Sequence, residues 1–235
     1  MIRDKHAPAE QKGFTIIELM IATLVFAVII VVISSGVIHF TTAYYKGINT
    51  SATQTAARTI SNVIAQNLQY GGGKDDYKPN TVLGVGRYLC IGSARVDYNL
   101  GHQLNKDPAP DYGAVVSTDN CTHTYPPSVT SGPKEYLGPN MRVTNIDVTQ
   151  IGGGASNLYS ISVGVAYGDI DLLCTAALAS GPGSCAPGAV TLPGSIIWTT
   201  AGVGNKVQCK SISGSQFCAV SHLTTQVVSR FAPGP

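Results

Sequence analysis

The segment that decides the fold reads Lys12-Gly13-Phe14-Thr15-Ile16-Ile17-Glu18-Leu19, and then MIATLVFAVIIVVISSGVI through Ile38. Leu19 to Ile33 is fifteen residues without a charge, rich in Ile, Val, Leu and Phe. The stretch free of Asp, Glu, Lys and Arg runs on to Tyr45, weakened by Ser34, Ser35 and Gly36. About 20 apolar residues suffice to cross a bilayer as a helix. Glu18 places one carboxylate at the start of that segment, and a charge in such a position is costly enough to have a partner and a role.

Gly-Phe-Thr-Ile-Ile-Glu-Leu-Met after a short basic leader resembles the type III signal of type IV pilins and pseudopilins. The resemblance is close over about residues 12–35 and holds only in outline beyond them. It implies cleavage by a prepilin peptidase between Gly13 and Phe14, followed by N-methylation of Phe14. Glu18 then becomes the fifth residue of the mature chain, the family's position for this acid. A secretory signal peptide would carry its apolar region before the cut, with small residues at the cleavage site. Here the junction precedes the apolar region. A plain single-pass anchor would need neither Glu18 nor the Gly13-Phe14 junction.

Removing 13 of the 235 residues leaves 222, enough for one helix and one domain with its own core. Charged residues are 12% of the chain and the net charge is +2, with no Lys/Arg run, so no nucleic-acid surface is expected. Arg3, Lys5 and Lys12 precede the apolar run, which favours a cytoplasmic leader and an exported C-terminal part. Six cysteines, Cys90, Cys121, Cys174, Cys185, Cys209 and Cys218, all follow the apolar segment. An even number in an exported domain points to disulfides. Fifteen pairings are possible and sequence alone does not select one. The sequential set, Cys90–Cys121, Cys174–Cys185 and Cys209–Cys218, is the expectation. No C-x-x-C and no histidine pair has zinc-ligand spacing, so no metal or other cofactor is expected.

Beyond the apolar run, Ala52, Ala56, Ile60, Val63, Ile64 and Leu68 fall on one helical face within TSATQTAARTISNVIAQNLQY. Gly71-Gly72-Gly73 should end a helix running from about Phe14 to Tyr70. Gly36 and Gly47 are its weak points, since an interior glycine costs about 1 kcal/mol relative to alanine. The pattern then changes to short strand-like runs. Tyr159–Tyr167 alternates with period two, and Met141–Ile151 shifts its apolar period between Val143 and Ile146, as at a bulge. Residues 152–157, GGGASN, read as the loop joining these two runs into a hairpin. Residues 216–230 give a third strand, and residues 81–91 a weaker fourth. Residues 101–140 and 172–215, rich in Pro, Gly and Cys, read as excursions from the sheet.

The expected class is α+β: a long N-terminal helix, membrane-spanning in its first half, on a mostly antiparallel sheet. The divisions are a leader over 1–13, a transmembrane half-helix over 14–40, an amphipathic half-helix over 41–72 and a disulfide-containing β-rich domain over 73–235. No P-loop, nucleophile elbow or H-E-x-x-H occurs, and no enzyme is expected. Asp169 and Asp171 read as solvated turn residues, with a calcium site as the alternative. Thr15 and Leu19 read as packing residues.

Glu18 is the one residue with a mechanism. A protonated Phe14 amine, on the same chain or a neighbour, is its natural partner, and resemblance implies that this pair sets axial register in a filament. The implied function is that of a minor-pilin-like structural subunit of a type IV pilus or related filament. The alternatives are a type II secretion or competence pseudopilin, or a subunit binding a ligand through loops that carry Tyr98, Tyr112, Tyr125 and Tyr136. The implied partners are other pilin subunits, the prepilin peptidase, the inner-membrane assembly platform and, before assembly, membrane lipid. The implied location is the cytoplasmic membrane, with the domain exported, and then a periplasmic or extracellular filament.

Overall fold

A computed structural model describes residues 13–71, 74–78, 86–91, 94–103, 113–117, 134–152, 156–177, 205–210 and 214–230. The chain falls into two compact units, Met1–Tyr44 and Tyr45–Pro235. In the first, the described residues are one helical segment with every side chain exposed. It is the beginning of helix α1, Ile16–Tyr70. Gly36 and Gly47 both lie inside this helix, where an added Cβ would meet nothing within 4 Å. Neither glycine breaks the helix.

Among its described residues, the second unit combines residues 45–70 of α1 with ten strands in three antiparallel sheets. Sheet A orders β1 (Lys74–Lys78), β2 (Gly86–Ile91), β3 (Ala94–Asn99), β4 (Ala114–Ser117) and β5 (Lys134–Glu135) consecutively. Sheet B places β7 (Leu158–Tyr167) between β6 (Met141–Ile151) and β10 (Ala219–Val228). Sheet C pairs β8 (Leu173–Ala177) with β9 (Asn205–Cys209). The sequence pattern suggested one sheet. Among the described residues there are three, because β2, β3 and β4 pair with their sequence neighbours and β8 pairs with β9; the parallel bridge Leu100 to Val143 links sheet A to sheet B, and β9 contacts β10. The expected strand over 81–91 is described from Gly86, and the expected strand over 216–230 begins after a short 3-10 turn at Ser215–Phe217.

The expected bulge sits in β6. Val143 pairs with Val165 and Asn145 with Gly164, which leaves Thr144 as the extra residue. An extra residue lets Met141 and Val143 before it share a face with Ile146 and Val148 after it. All four are buried, as are Ile161, Val163 and Val165 opposite. This face packs with Ile60, Ile64 and Leu68 of α1, and with Leu89, Ile91, Val96 and Tyr98 of sheet A, in one core. Burying an Ile or Leu side chain contributes about 1.5–3 kcal/mol, so these side chains dominate the docking of the helix. The helical stripe is wider and more polar than the apolar pattern indicates, because Asn49, Thr53 and Ser61 are buried with it.

Three polar arrangements surround this core. The Glu135 carboxylate accepts from the backbone N–H groups of Gly113, Ala114, Tyr136 and Leu137 at 2.8–2.9 Å, fixing the β4–β5 junction. The Arg142 guanidinium, buried on the other face of β6, donates to the carbonyls of Gly101 at 3.3 Å and Gly168 at 2.9 Å and to the Gln103 amide oxygen. Arg95 and Asp97, two apart and hence on one face of β3, form a buried pair at 2.7 Å, with the guanidinium 4.6 Å from the Tyr88 ring centre. Burial pushes the Asp97 carboxyl above the ordinary carboxylate range, and the Arg95 hydrogen bond and charge only partly offset this.

Candidate functional site

The N-terminal segment carries the residues singled out from sequence. Gly13 has open space around it, and Phe14 is 87% exposed. Both are accessible in the way a cut between them requires. The chain enters the helix through Thr15. Its backbone N–H and its Oγ1 hydroxyl both donate to the Glu18 Oε2 atom at 2.9 Å. The Glu18 N–H in turn donates to Thr15 Oγ1 at 3.3 Å. This is a reciprocal capping box: an N-cap threonine and a carboxylate three residues on satisfy donors that the first turn of a helix leaves without partners.

Thr15 is therefore more than the packing residue expected from sequence. The signal was legible, since Thr15-x-x-Glu18 before an apolar run is the capping-box spacing. The box also gives Glu18 a partner within its own chain. The carboxylate adds negative charge at the positive end of the helix dipole as well, which favours helix initiation at Ile16.

The apolar helix that follows has a mean hydropathy of 3.1 over its most apolar window, none of it buried. Phe26, Val31, Val32, Ile38 and Phe40 are each more than half exposed. Such a surface is satisfied by lipid or by other apolar helices, not by water. His39 lies exposed at the end of this run.

Within the second unit, residues 45–53 of α1 meet the 3-10 turn Ser215–Phe217 and strand β10. Thr53 and Ser221 share a buried hydroxyl–hydroxyl hydrogen bond of 2.9 Å, and the Asn49 amide donates to the Gln216 carbonyl at 3.4 Å. The Tyr45 and Phe217 rings lie 5.8 Å apart. Sequence reasoning did not find these links, because each joins residues more than 165 positions apart. Beside them opens a cleft of about 420 Å³, bounded by Lys46 and Thr50 of α1, Lys210 after β9, and Ser215 and His222. The His222 Nε2–H donates to the Val207 carbonyl at 3.0 Å.

Cys209 and Cys218 form a disulfide in the wall of this cleft. Cys90 and Cys174 are each disulfide-bonded as well. Cys121 and Cys185, their expected partners, lie outside the described residues. Of the tyrosines assigned to ligand-binding loops, Tyr98 does not belong there: it is fully buried in β3, and its hydroxyl donates to the Ile146 carbonyl at 3.1 Å. Tyr136 is partly buried beside Lys134, and Tyr112 and Tyr125 lie outside the described residues. Asp169 and Asp171 are exposed around the 3-10 turn Ile170–Leu172, and among the described residues no group of three His, Cys, Asp or Glu side chains has metal-binding geometry.

No curated protein and no solved structure matches the chain. Residues 9–34 match the family described as the prokaryotic N-terminal methylation motif, so this chain carries the signal of type IV pilins and pseudopilins at the head of a long apolar helix joined to antiparallel sheets.

Proposed function

We propose that this protein is a minor-pilin-like structural subunit of a type IV pilus or related filament. The observation that carries the reading is the junction of a methylation signal with a helix whose apolar side chains are exposed on all sides. The signal implies a prepilin peptidase, which cuts after Gly13 and leaves Phe14 as the methylated first residue. Residues 14–40 then anchor the subunit in the cytoplasmic membrane, with the domain exported. The same residues later pack against the helices of other subunits, because both environments are apolar. Residues 41–72 serve as the amphipathic half of the helix and 73–235 as the surface domain. The role is structural rather than enzymatic, and the partners are other pilins and the assembly platform.

Glu18 acts in register. Its capping box satisfies the carboxylate while the subunit stands alone in the membrane. In a filament the methylated Phe14 amine is the cation available to it, and an acid and an amine buried together reward one stagger over others.

Two measurements test this. Intact mass and N-terminal sequencing should give a chain starting at N-methyl-Phe14 from wild-type cells and an uncut leader from cells lacking prepilin peptidase. Unprocessed protein in both strains would reduce the chain to an anchored exported domain. Glu18→Ala should insert normally, by carbonate extraction, and yet be depleted from sheared filaments. Wild-type incorporation of that variant would end the register role.

A further inference from the structure

His39 is an ionisable side chain that neither the methylation signal nor the capping box uses. From residue 19 to residue 45 it is the one titratable side chain besides the tyrosines. It lies exposed and has no hydrogen-bond partner among the described residues. The threonines of the same segment differ. The Thr23, Thr41 and Thr42 hydroxyls donate to the Met20, Val37 and Ile38 carbonyls at 2.8–3.0 Å, within their own helix. Near the start of the helix, Glu18 keeps an open acceptor. Both donors from Thr15 end on Oε2, and Oε1 accepts from no described residue.

Twenty-one residues separate Glu18 from His39, about 32 Å of helix at a rise of about 1.5 Å per residue. That is close to the roughly 30 Å of a bilayer's hydrocarbon core, so in an anchored subunit each group can reach a headgroup layer. Packing among apolar helices removes that outlet, and an enclosed imidazole then needs a hydrogen-bond partner. The segment offers one carboxylate, Glu18, and its own helix holds the two groups far apart, so the partner lies on another chain. Twenty-one residues are also about six turns, which puts both groups on one side of the helix. Ser35, Gly36 and Ala43 stand three or four residues from His39, and Ala22 stands four from Glu18, so each polar group is flanked by small residues. An added Cβ at Gly36 would meet nothing within 4 Å. Small residues let helix backbones approach closely enough for side chains to bond across.

We propose that a second copy of this chain packs parallel to the first, displaced by 21 residues, so that its Glu18 accepts a hydrogen bond from His39. The inference rests on the filament stage of the function proposed above. The contact joins two different patches of one surface, so it does not close on itself and repeats from copy to copy, as a filament requires. It is compatible with the Phe14 amine, because a carboxylate has about four acceptor sites.

The test uses two differently tagged full chains expressed together, one carrying Ala22→Cys and the other Ala43→Cys. These positions are also 21 residues apart, both variants keep Glu18 and His39, and all native cysteines lie after the apolar segment. Oxidation of sheared filaments should join the two tags through a disulfide, which needs Cα atoms within about 7 Å. Two copies that both carry Ala22→Cys should not join. His39→Leu in both chains should lower the joined fraction about tenfold, the scale of an interhelical hydrogen bond in an apolar medium. His39→Gln, which keeps an N–H donor, should retain most of it. Absence of the Ala22–Ala43 cross-link, or an undiminished cross-link in His39→Leu, would overturn the proposal. Failure of the Glu18 register role reads differently: Glu18→Ala would then enter filaments at wild-type levels.

Discussion

Deleting single residues on either side of Ile146 separates two explanations of strand β6. Thr144 is the extra residue of a bulge, so its deletion brings Val143 next to Asn145 in a regular register. Met141, Val143, Ile146 and Val148 all keep their pairing partners and their face. The deletion also removes a buried hydroxyl that has no hydrogen-bond partner among the described residues. We expect it to change stability by no more than about 1 kcal/mol, the scale of a local change in strand twist set against relief of an unsatisfied polar group. Deleting Asp147 instead makes Ile146 and Val148 neighbours, and neighbours point to opposite faces. With Val148 kept against Ile161, Ile146 moves to the position facing Ser162 and Asn145 replaces it against Val163. Ile146 is 1% exposed, so its loss costs about 1.5–3 kcal/mol. Burying the Asn145 amide without partners adds about 1–3 kcal/mol. The total, about 2.5–6 kcal/mol, is a large fraction of the 5–15 kcal/mol that holds a typical domain together. Denaturant titration of the full chain in mild detergent, followed by near-ultraviolet circular dichroism, measures both variants. If deleting Thr144 costs as much as deleting Asp147, the register explanation is wrong.

Further outcomes follow from particular contacts. Gly168→Ala should destabilise by at least 1 kcal/mol, because φ is 113° there and a Cβ would lie 2.6 Å from the Phe217 carbonyl oxygen; an unchanged melting temperature would contradict this. The raised Asp97 carboxyl gives a signed pH dependence. The folded state holds the proton where the unfolded state has lost it, so this site's contribution to stability falls as pH rises from about 3.9 through the raised value. The melting temperature of wild type minus that of Arg95→Met/Asp97→Leu should therefore decline across that window, and a flat difference would refute it. Removing the Cys209–Cys218 disulfide as a double Cys→Ser variant should cost about 2–4 kcal/mol in the same denaturation assay. A loss below 1 kcal/mol would show that the short loop is already ordered in the unfolded chain.

The local code was readable wherever a period or a fixed spacing carried it. The apolar run after Gly13-Phe14 specifies a helix that water cannot solvate, because fifteen uncharged residues admit no polar face. The alternation of 159–167 gives β7, and the slip between Val143 and Ile146 gives the bulge, because side chains in a strand alternate strictly and a one-residue offset must be absorbed. Thr15-x-x-Glu18 was equally local, and its capping role follows from spacing alone.

Only the tertiary structure decided which surfaces meet. The buried face of α1 includes Asn49, Thr53 and Ser61, which a hydrophobic pattern assigns to solvent, since Thr53 finds a partner in Ser221, 168 residues away. Tyr98 reads as a loop aromatic in sequence and is core in the fold, because its ring joins the hydrophobic core and its hydroxyl finds the Ile146 carbonyl of β6. Arg142, Glu135 and the Lys46–Lys210–His222 cleft have no sequence signature at all. Each depends on carbonyls, amides or charges from distant segments, and chain spacing cannot report which of these the fold brings together.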